Sequence, residues 1–142
     1  MIAANNPYNL RYNCHNNWKG QTGQLRGFCV FTDFDYATRA VSMLLMRSYR
    51  MKHVRTYSQI IQRYAPPSEN KTQAYIDFLM VKLSKFPWDE PSTIYDFARL
   101  MYYIIWFEQG VKPEKVLNEL NVLELIVRVI RNFKISPYGL RR

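Results

Sequence analysis

Acidic residues are scarce in this chain. Eleven Asp and Glu stand against 20 Lys and Arg, the formal net charge is +9, and no acid precedes Asp33. The imbalance is uneven along the sequence. Residues 1–63 hold nine cations and two acids, Asp33 and Asp35, whereas eleven cations and nine acids follow from Tyr64 onward. A basic front half favours a polyanionic partner, whether nucleic acid, an anionic membrane surface or an acid-bearing bacterial wall. Cysteine is nearly absent too. Cys14 and Cys29 are the only two, which excludes a disulfide framework and leaves two buried free thiols as the expected state. With His15 and His53 as the only histidines, the ligands for a zinc site are too few, and no metal is expected. No Gly-rich phosphate loop, nucleophile elbow, His-Glu-x-x-His or Cys-x-x-Cys occurs, so no cofactor is expected either. The longest apolar run, Leu100 to Phe107, is far too short to cross a bilayer. The Asn- and Pro-rich start has no apolar segment of the kind a secretory signal needs. If the protein acts outside its cell, something else is expected to deliver it.

What is present is enough for a core. The chain has 142 residues, 48% of them hydrophobic and 15% aromatic, a composition that folds rather than stays disordered. Residues 1–31 are punctuated by Asn-Asn-Pro, Asn16-Asn17, Gly20, Gly23 and Gly27 around short segments such as Tyr8–Tyr12 and Phe28–Phe31. A small β-hairpin or irregular β layer fits this pattern. From Asp33 the period turns helical, with Ala37, Ala40, Val41, Leu44, Leu45 and Ser48 on one face and Asp33 or Asp35 as the cap. Thr56 and Gln59 have the spacing of a capping box for a short second helix that the Pro66-Pro67 bend ends. A third helix is expected from about Asn70 to Lys85. After a break at Phe86–Pro91 comes a fourth, from Ser92 or Thr93 to Gln109, with Gly110 beyond its end. A last helix starts at Pro113 and carries Val116, Leu117, Leu120, Leu123, Val127 and Ile130 on its apolar face. The expected fold class is mainly α with a small β-hairpin element (α+β). Residues 1–86 form the motif-bearing region, and residues 87–142 a helical extension packed on the same domain.

Five short motifs stand in order along the front half: Asn5-Asn6-Pro7-Tyr8-Asn9-Leu10-Arg11; Trp18-Lys19-Gly20; Gly27-Phe28-Cys29-Val30-Phe31; Arg39-Ala40; and Tyr64-Ala65-Pro66-Pro67-Ser68-Glu69-Asn70-Lys71-Thr72 with Tyr75. Together they resemble a family of phage and prophage proteins related to the lytic structural protein of enveloped double-stranded RNA phages, placed among lysozyme-like peptidoglycan-cleaving proteins. The order Asn-x-x-Asn-Leu-Arg, Trp-x-Gly, Phe-x-x-Phe is also similar to autolysin-type glucosaminidases. The resemblance covers roughly residues 5–80, and residues 92–142 take no part in it. It implies a lysozyme-like fold, a phage or mobile-element setting, and binding and cleavage of the peptidoglycan glycan strand by muramidase or lytic-transglycosylase chemistry. The implied locations are the virion, or a host cytoplasm with delivery to the periplasm and wall, and other virion proteins are implied as further partners. Three departures mark this chain. There is no room for a glutamate-bearing helix ahead of Asn6, Asp35-Tyr36-Ala37 stands where Glu-Asp-Gly is usual, and Lys71 replaces an acid.

Cutting a glycan requires a carboxylic acid kept protonated near neutral pH by a partly apolar pocket. Glu69, held in a stiff Pro-Pro loop near Tyr64, is the candidate acid, with favourable electrostatics at a helix N-terminus as its plain structural alternative. Asp35 is the second catalytic candidate, with N-capping as its alternative. Asn6, Asn9 and Arg11 can line a saccharide cleft, although asparagines in turn-rich stretches also satisfy local backbone groups. Trp18 can stack on a sugar or anchor the core, and Arg39 can pair with Asp35 or Glu69. Tyr64, Asn70, Thr72 and Tyr75 complete the candidate cleft. Two other readings stay open. One is a non-catalytic virion or host-interaction protein on the same fold. The other is a basic nucleic-acid binder whose tyrosines stack on bases.

Overall fold

The computed structural model describes residues 3–66 and 71–137. Strands β1 (Gln21–Leu25) and β2 (Phe28–Phe31) pair antiparallel across the tight Arg26-Gly27 turn, with a bulge between Gln21 and Gly23. Both turn residues have positive φ, 54° and 86°, the geometry that lets a two-residue connection match the strand twist. The expected hairpin is therefore present. Its first strand is the Gly-interrupted Gln21–Leu25 rather than Tyr8–Tyr12, which makes only a single bridge, Arg11 to Phe28. The N-terminal segment still runs along β2. Phe31 N–H donates to Ala4 O at 3.0 Å, Cys29 N–H to Leu10 O at 2.9 Å, and Tyr12 N–H to Gly27 O at 2.7 Å.

Gly20 lies in the turn before β1 with φ 80°, and a Cβ there would come within 2.2 Å of the Tyr36 ring. A side chain at this position would meet both the strain of positive φ and a clash. That pairing seats the hairpin on the first helix. Helix α1 (Phe34–Met43) is capped by Asp33, whose carboxylate accepts from Tyr36 N–H at 3.0 Å. It runs on through a π-helical turn, Leu44–Ser48, into the short α2 (Tyr49–Met51). The capping box of Thr56 and Gln59 opens α3 (Tyr57–Tyr64) with both reciprocal bonds formed. Helix α4 (Thr72–Leu83) ends at Ser84 in the left-handed region. A second capping box, Thr93 with Asp96, opens α5 (Ile94–Gln109), and Gly110 closes it at φ 75°.

The expected last helix is two helices. Helix α6 (Pro113–Leu117) stops at Asn118, φ 55°, and α7 (Val122–Asn132) restarts under Asn121, whose side chain accepts from Glu124 N–H. Asparagine tolerates the left-handed region and competes for backbone partners, so the apolar periodicity across 116–130 is interrupted in spite of its pattern. Leu120, read from the sequence as a core position, is 98% exposed in that break.

One apolar cluster runs through the whole fold, from Tyr8 to Ile135. Helix α5 lies in its midst, burying Phe97, Ala98, Leu100, Met101, Tyr102, Ile104 and Ile105 and packing against α4, α6 and α7. The Phe86–Pro91 break joins front and back, because Pro87 O and Asp89 O accept the N–H groups of Ser58 and Tyr57 at the start of α3. Those donors have no partner within their own helix. Cys29 is buried, and desolvation pushes its thiol up to about 11. Cys14, expected to be buried, is exposed, within a stretch, residues 11–15, that is exposed throughout. Among the described residues no helix is long and apolar enough to cross a membrane.

The break at Asn118–Asn121 leaves Leu120 in solvent while Ile126, on α7, is buried. Leu120→Gln is expected to change stability by no more than about 0.5 kcal/mol. Ile126→Ala is expected to cost roughly 3 kcal/mol. Urea denaturation of the two variants distinguishes this arrangement from a continuous helix, in which both would be costly.

Candidate functional site

The apolar stripe of α5 runs Phe97, Met101, Ile104 and Ile105, and continuing it by one turn reaches Glu108. A carboxylate at this position faces the interior from the last turn of a helix, where the helix dipole disfavours negative charge. It is half-buried, and it is met from two directions. Asn9 Nδ2 donates to Oε1 at 2.9 Å, and Tyr75 OH donates to Oε2 at 2.8 Å. Burial pushes the Glu108 carboxyl above its ordinary range, opposed by these two hydrogen bonds and by the charge of Arg11. The adjacent Gln109 ties the same helix end to the N-terminal segment, donating to Pro7 O at 2.8 Å.

Each partner is positioned by its own neighbours. Asn6 is wholly buried. Its Nδ2 donates to Leu10 O and Cys29 O, and its Oδ1 accepts from Leu10 N–H. It therefore shapes the loop that carries Asn9 and does not reach a ligand. Asn9 has φ 50°, a conformation that asparagine reaches more readily than most residues. Tyr8 is fully buried against Phe34 and shares a hydrogen bond with Thr38 at 2.7 Å. Tyr64 donates from its hydroxyl to Tyr8 O at 2.7 Å. Tyr75 stacks on Phe107 with ring centroids 4.0 Å apart. Thr72 donates to Ala65 O at 2.6 Å, which closes the loop between α3 and α4 at its base.

The candidates read from the sequence divide accordingly. Asn9, Arg11, Tyr64 and Tyr75 gather around Glu108, directly or through charge. Trp18 is half-buried on the wall of a neighbouring cleft, together with Arg11 and Tyr64. Its indole Nε1 is buried without an acceptor among the described residues. Arg39 lies elsewhere, its guanidinium 5.8 Å from the Phe133 ring centroid, in place of a pairing with Asp35. The charges acting on Asp35 are those of Asp33 and Arg128, and it lines a separate recess of about 520 Å³ with Phe34 and Leu117. Asp35 does not join Glu108. Glu69 and Asn70 lie outside the described residues. Glu108 was missed by sequence reasoning because it sits beyond the matched motifs. Its signal was a lone acid on the buried stripe of the most apolar helix.

Among the described residues no group of His, Cys, Asp and Glu is placed to hold a metal ion. The chain matches no family model and no curated protein.

Two outcomes follow from the electrostatics. A folded-state pKa raised by burial means that Glu108 favours the fold at low pH, and this contribution fades as pH rises through the raised value. The stability of the wild type relative to Glu108→Gln is therefore expected to be greater at pH 4 than at pH 7, measured as the difference in urea midpoints. A difference that does not vary with pH would contradict the burial of this carboxyl. Tyr75→Phe keeps the stack on Phe107 but removes a donor to the carboxylate. It is expected to cost about 1.5–3 kcal/mol at pH 7 and to move the Glu108 titration, followed by carboxyl-carbon NMR, further upward.

Proposed function

We propose that this protein binds bacterial peptidoglycan and cleaves its glycan strands, with Glu108 as the general acid. The observation that carries this reading is the clamp on Glu108. A carboxyl with an upward-shifted pKa is held between Asn9 and Tyr75, two of the residues that the resemblance to lysozyme-like wall-lytic proteins assigned to the cleft. Glycoside cleavage needs an acid still protonated near neutral pH, and desolvation is the usual way a fold keeps one so.

The chemistry proceeds from that group. Protonated Glu108 gives its proton to the glycosidic oxygen, the bond from that oxygen to the anomeric carbon breaks, and positive charge develops on the sugar. The Glu108 carboxylate then acts as base. It takes a proton from water in hydrolysis, or from the sugar's own 6-hydroxyl where the product closes to an anhydro ring. Tyr75 OH and Asn9 Nδ2 each donate to one carboxyl oxygen, and the second lone pair on each oxygen is left to carry the proton that is given to the substrate. Arg11 is shared between the cleft wall and the surroundings of Glu108, and its charge favours the carboxylate once the proton has left. The ring closure uses the sugar as its own nucleophile and needs one protein carboxyl, which suits a site where Asp35 belongs to a different recess.

Purified peptidoglycan incubated with wild type, Glu108→Gln and Glu69→Gln, with mass analysis of soluble muropeptides, tests the proposal. Wild type is expected to release products, and Glu108→Gln to release them at least about 100-fold more slowly while remaining folded by circular dichroism. Full activity in Glu108→Gln with loss in Glu69→Gln would move the acid to the Pro-Pro loop. No release by wild type would overturn the enzymatic reading.

A further inference from the structure

The hydrogen bond from Asn9 to Glu108 is one step of a longer relay. Gln109, the next residue on α5, donates from Nε2 to Pro7 O at 2.8 Å and to Asn9 Oδ1 at 3.4 Å, and Asn9 donates from Nδ2 to Glu108 Oε1 at 2.9 Å. Both ends of this relay have a fixed polarity. A backbone carbonyl only accepts, and so does an ionised carboxylate. Two side-chain amides stand between them. An amide has two orientations of nearly the same shape, with oxygen and nitrogen exchanged, so its hydrogen-bond partners choose between them. Pro7 O accepts from the NH2 group of Gln109. With that NH2 against it, the Asn9 amide offers its oxygen, and its own NH2 then faces Glu108. The reverse orientation would set two NH2 groups against each other and an oxygen against the carboxylate. Asn9, Glu108 and Gln109 are all half-buried, so a lost partner is costly to replace.

We propose that Gln109 is a positioning residue for Glu108: by holding Asn9 Oδ1 it keeps the Asn9 amide a donor to the carboxyl, whether that carboxyl is ionised or protonated. The consequence for catalysis rests on the reading of Glu108 as the general acid, whereas the relay itself rests on its hydrogen bonds. An asparagine amide free to turn would reverse when Glu108 takes up its proton, and its oxygen would accept a hydrogen bond from the acid. The acidic proton would then be held by the protein's own side chain instead of facing a glycosidic oxygen. Gln109 prevents that reversal. Adjacent residues of a helix do not face each other, so Gln109 acts on Glu108 through Asn9. The other groups that act on the carboxyl are Tyr75 on α4, Arg11 on the N-terminal segment and Tyr64 on α3. The variants that test the relay leave all three in place.

The test follows the Glu108 titration by carboxyl-carbon NMR in wild type, Gln109→Met, Asn9→Gly and the double variant. Methionine keeps the length of Gln109 and removes its donor. Glycine accepts the positive φ of Asn9, 50°, without strain and removes its amide. Gln109→Met is expected to move the titration upward, because the released Asn9 amide can then favour the protonated carboxyl. In the Asn9→Gly background the same substitution is expected to move nothing. A titration unmoved by Gln109→Met, or moved equally in both backgrounds, would overturn the proposal. The wild type supplies a second measurement that needs no variant to fold. Its Asn9 Nδ2 protons are expected to shift as Glu108 titrates, and protons that ignore that titration would also overturn the proposal. Muropeptide release separates this inference from the cleavage reading. Where wild type releases products, the alkaline limb of the pH–rate profile is expected to move to higher pH in Gln109→Met, in step with the titration. A limb that stays in place while the titration moves would overturn the positioning role alone. The expected titrations without release by wild type would overturn the enzymatic reading alone.

Discussion

The fold depends on Asn6. The first ten described residues have no regular secondary structure of their own, yet they run through the core beside β2 and carry Tyr8, Asn9 and Arg11. A buried segment of this kind must satisfy its backbone groups by other means. The Asn6 amide supplies three of those bonds, two to carbonyls and one from an N–H. It turns the chain so that Tyr8 enters the core and Asn9 faces α5. The left-handed backbone at Asn5 and Asn9, φ 60° and 50°, completes the turn. Without this bend, the contacts between the start of the chain and residues about a hundred positions later would have no geometry to form in.

Those long-range contacts define the site. Glu108 and Gln109 lie at the end of α5, and both reach back to the segment carrying Pro7 and Asn9. Tyr75, from α4, closes the third side. Each donor to Glu108 comes from a different element, so the arrangement exists only when α4, α5 and the N-terminal segment are docked together. Burial and hydrogen bonding act on the carboxyl in opposite senses, and burial is the larger. The result is an acid held in place with its carboxyl pushed above its ordinary range. Arg11 and Tyr64, which interact electrostatically with Glu108, also line a recess together with Trp18 and Ser48.

Local signals in the sequence were reliable where local physics decides. Asp33 caps α1, Thr56 with Gln59 opens α3, Thr93 starts α5, Gly110 ends it in the left-handed region, and Pro113 begins α6. Each rests on a hydrogen bond or a backbone preference within four residues of its origin. Where two local preferences competed, periodicity lost. Asn118 and Asn121 broke the 116–130 stripe and left Leu120 in solvent. The Gly-containing strand Gln21–Leu25 escaped notice for a related reason. It is mostly exposed, so it shows no apolar alternation, and its identity comes from pairing with β2.

The sequence alone therefore determined the class of fold and the helix boundaries set by caps, and it named Asn9, Arg11, Tyr64 and Tyr75, which the fold gathers around Glu108. It did not single out Glu108 or separate Asp35 and Arg39 from the rest. The spacing of Asp35 and Arg39 on a helix permitted a pair, but the fold turns Arg39 onto Phe133 and exposes Asp35 to Arg128. Which acid is desolvated depends on elements that meet across about a hundred residues of chain. That information lies in packing, because burial and Coulomb interaction are properties of position in space, and only the tertiary structure sets them.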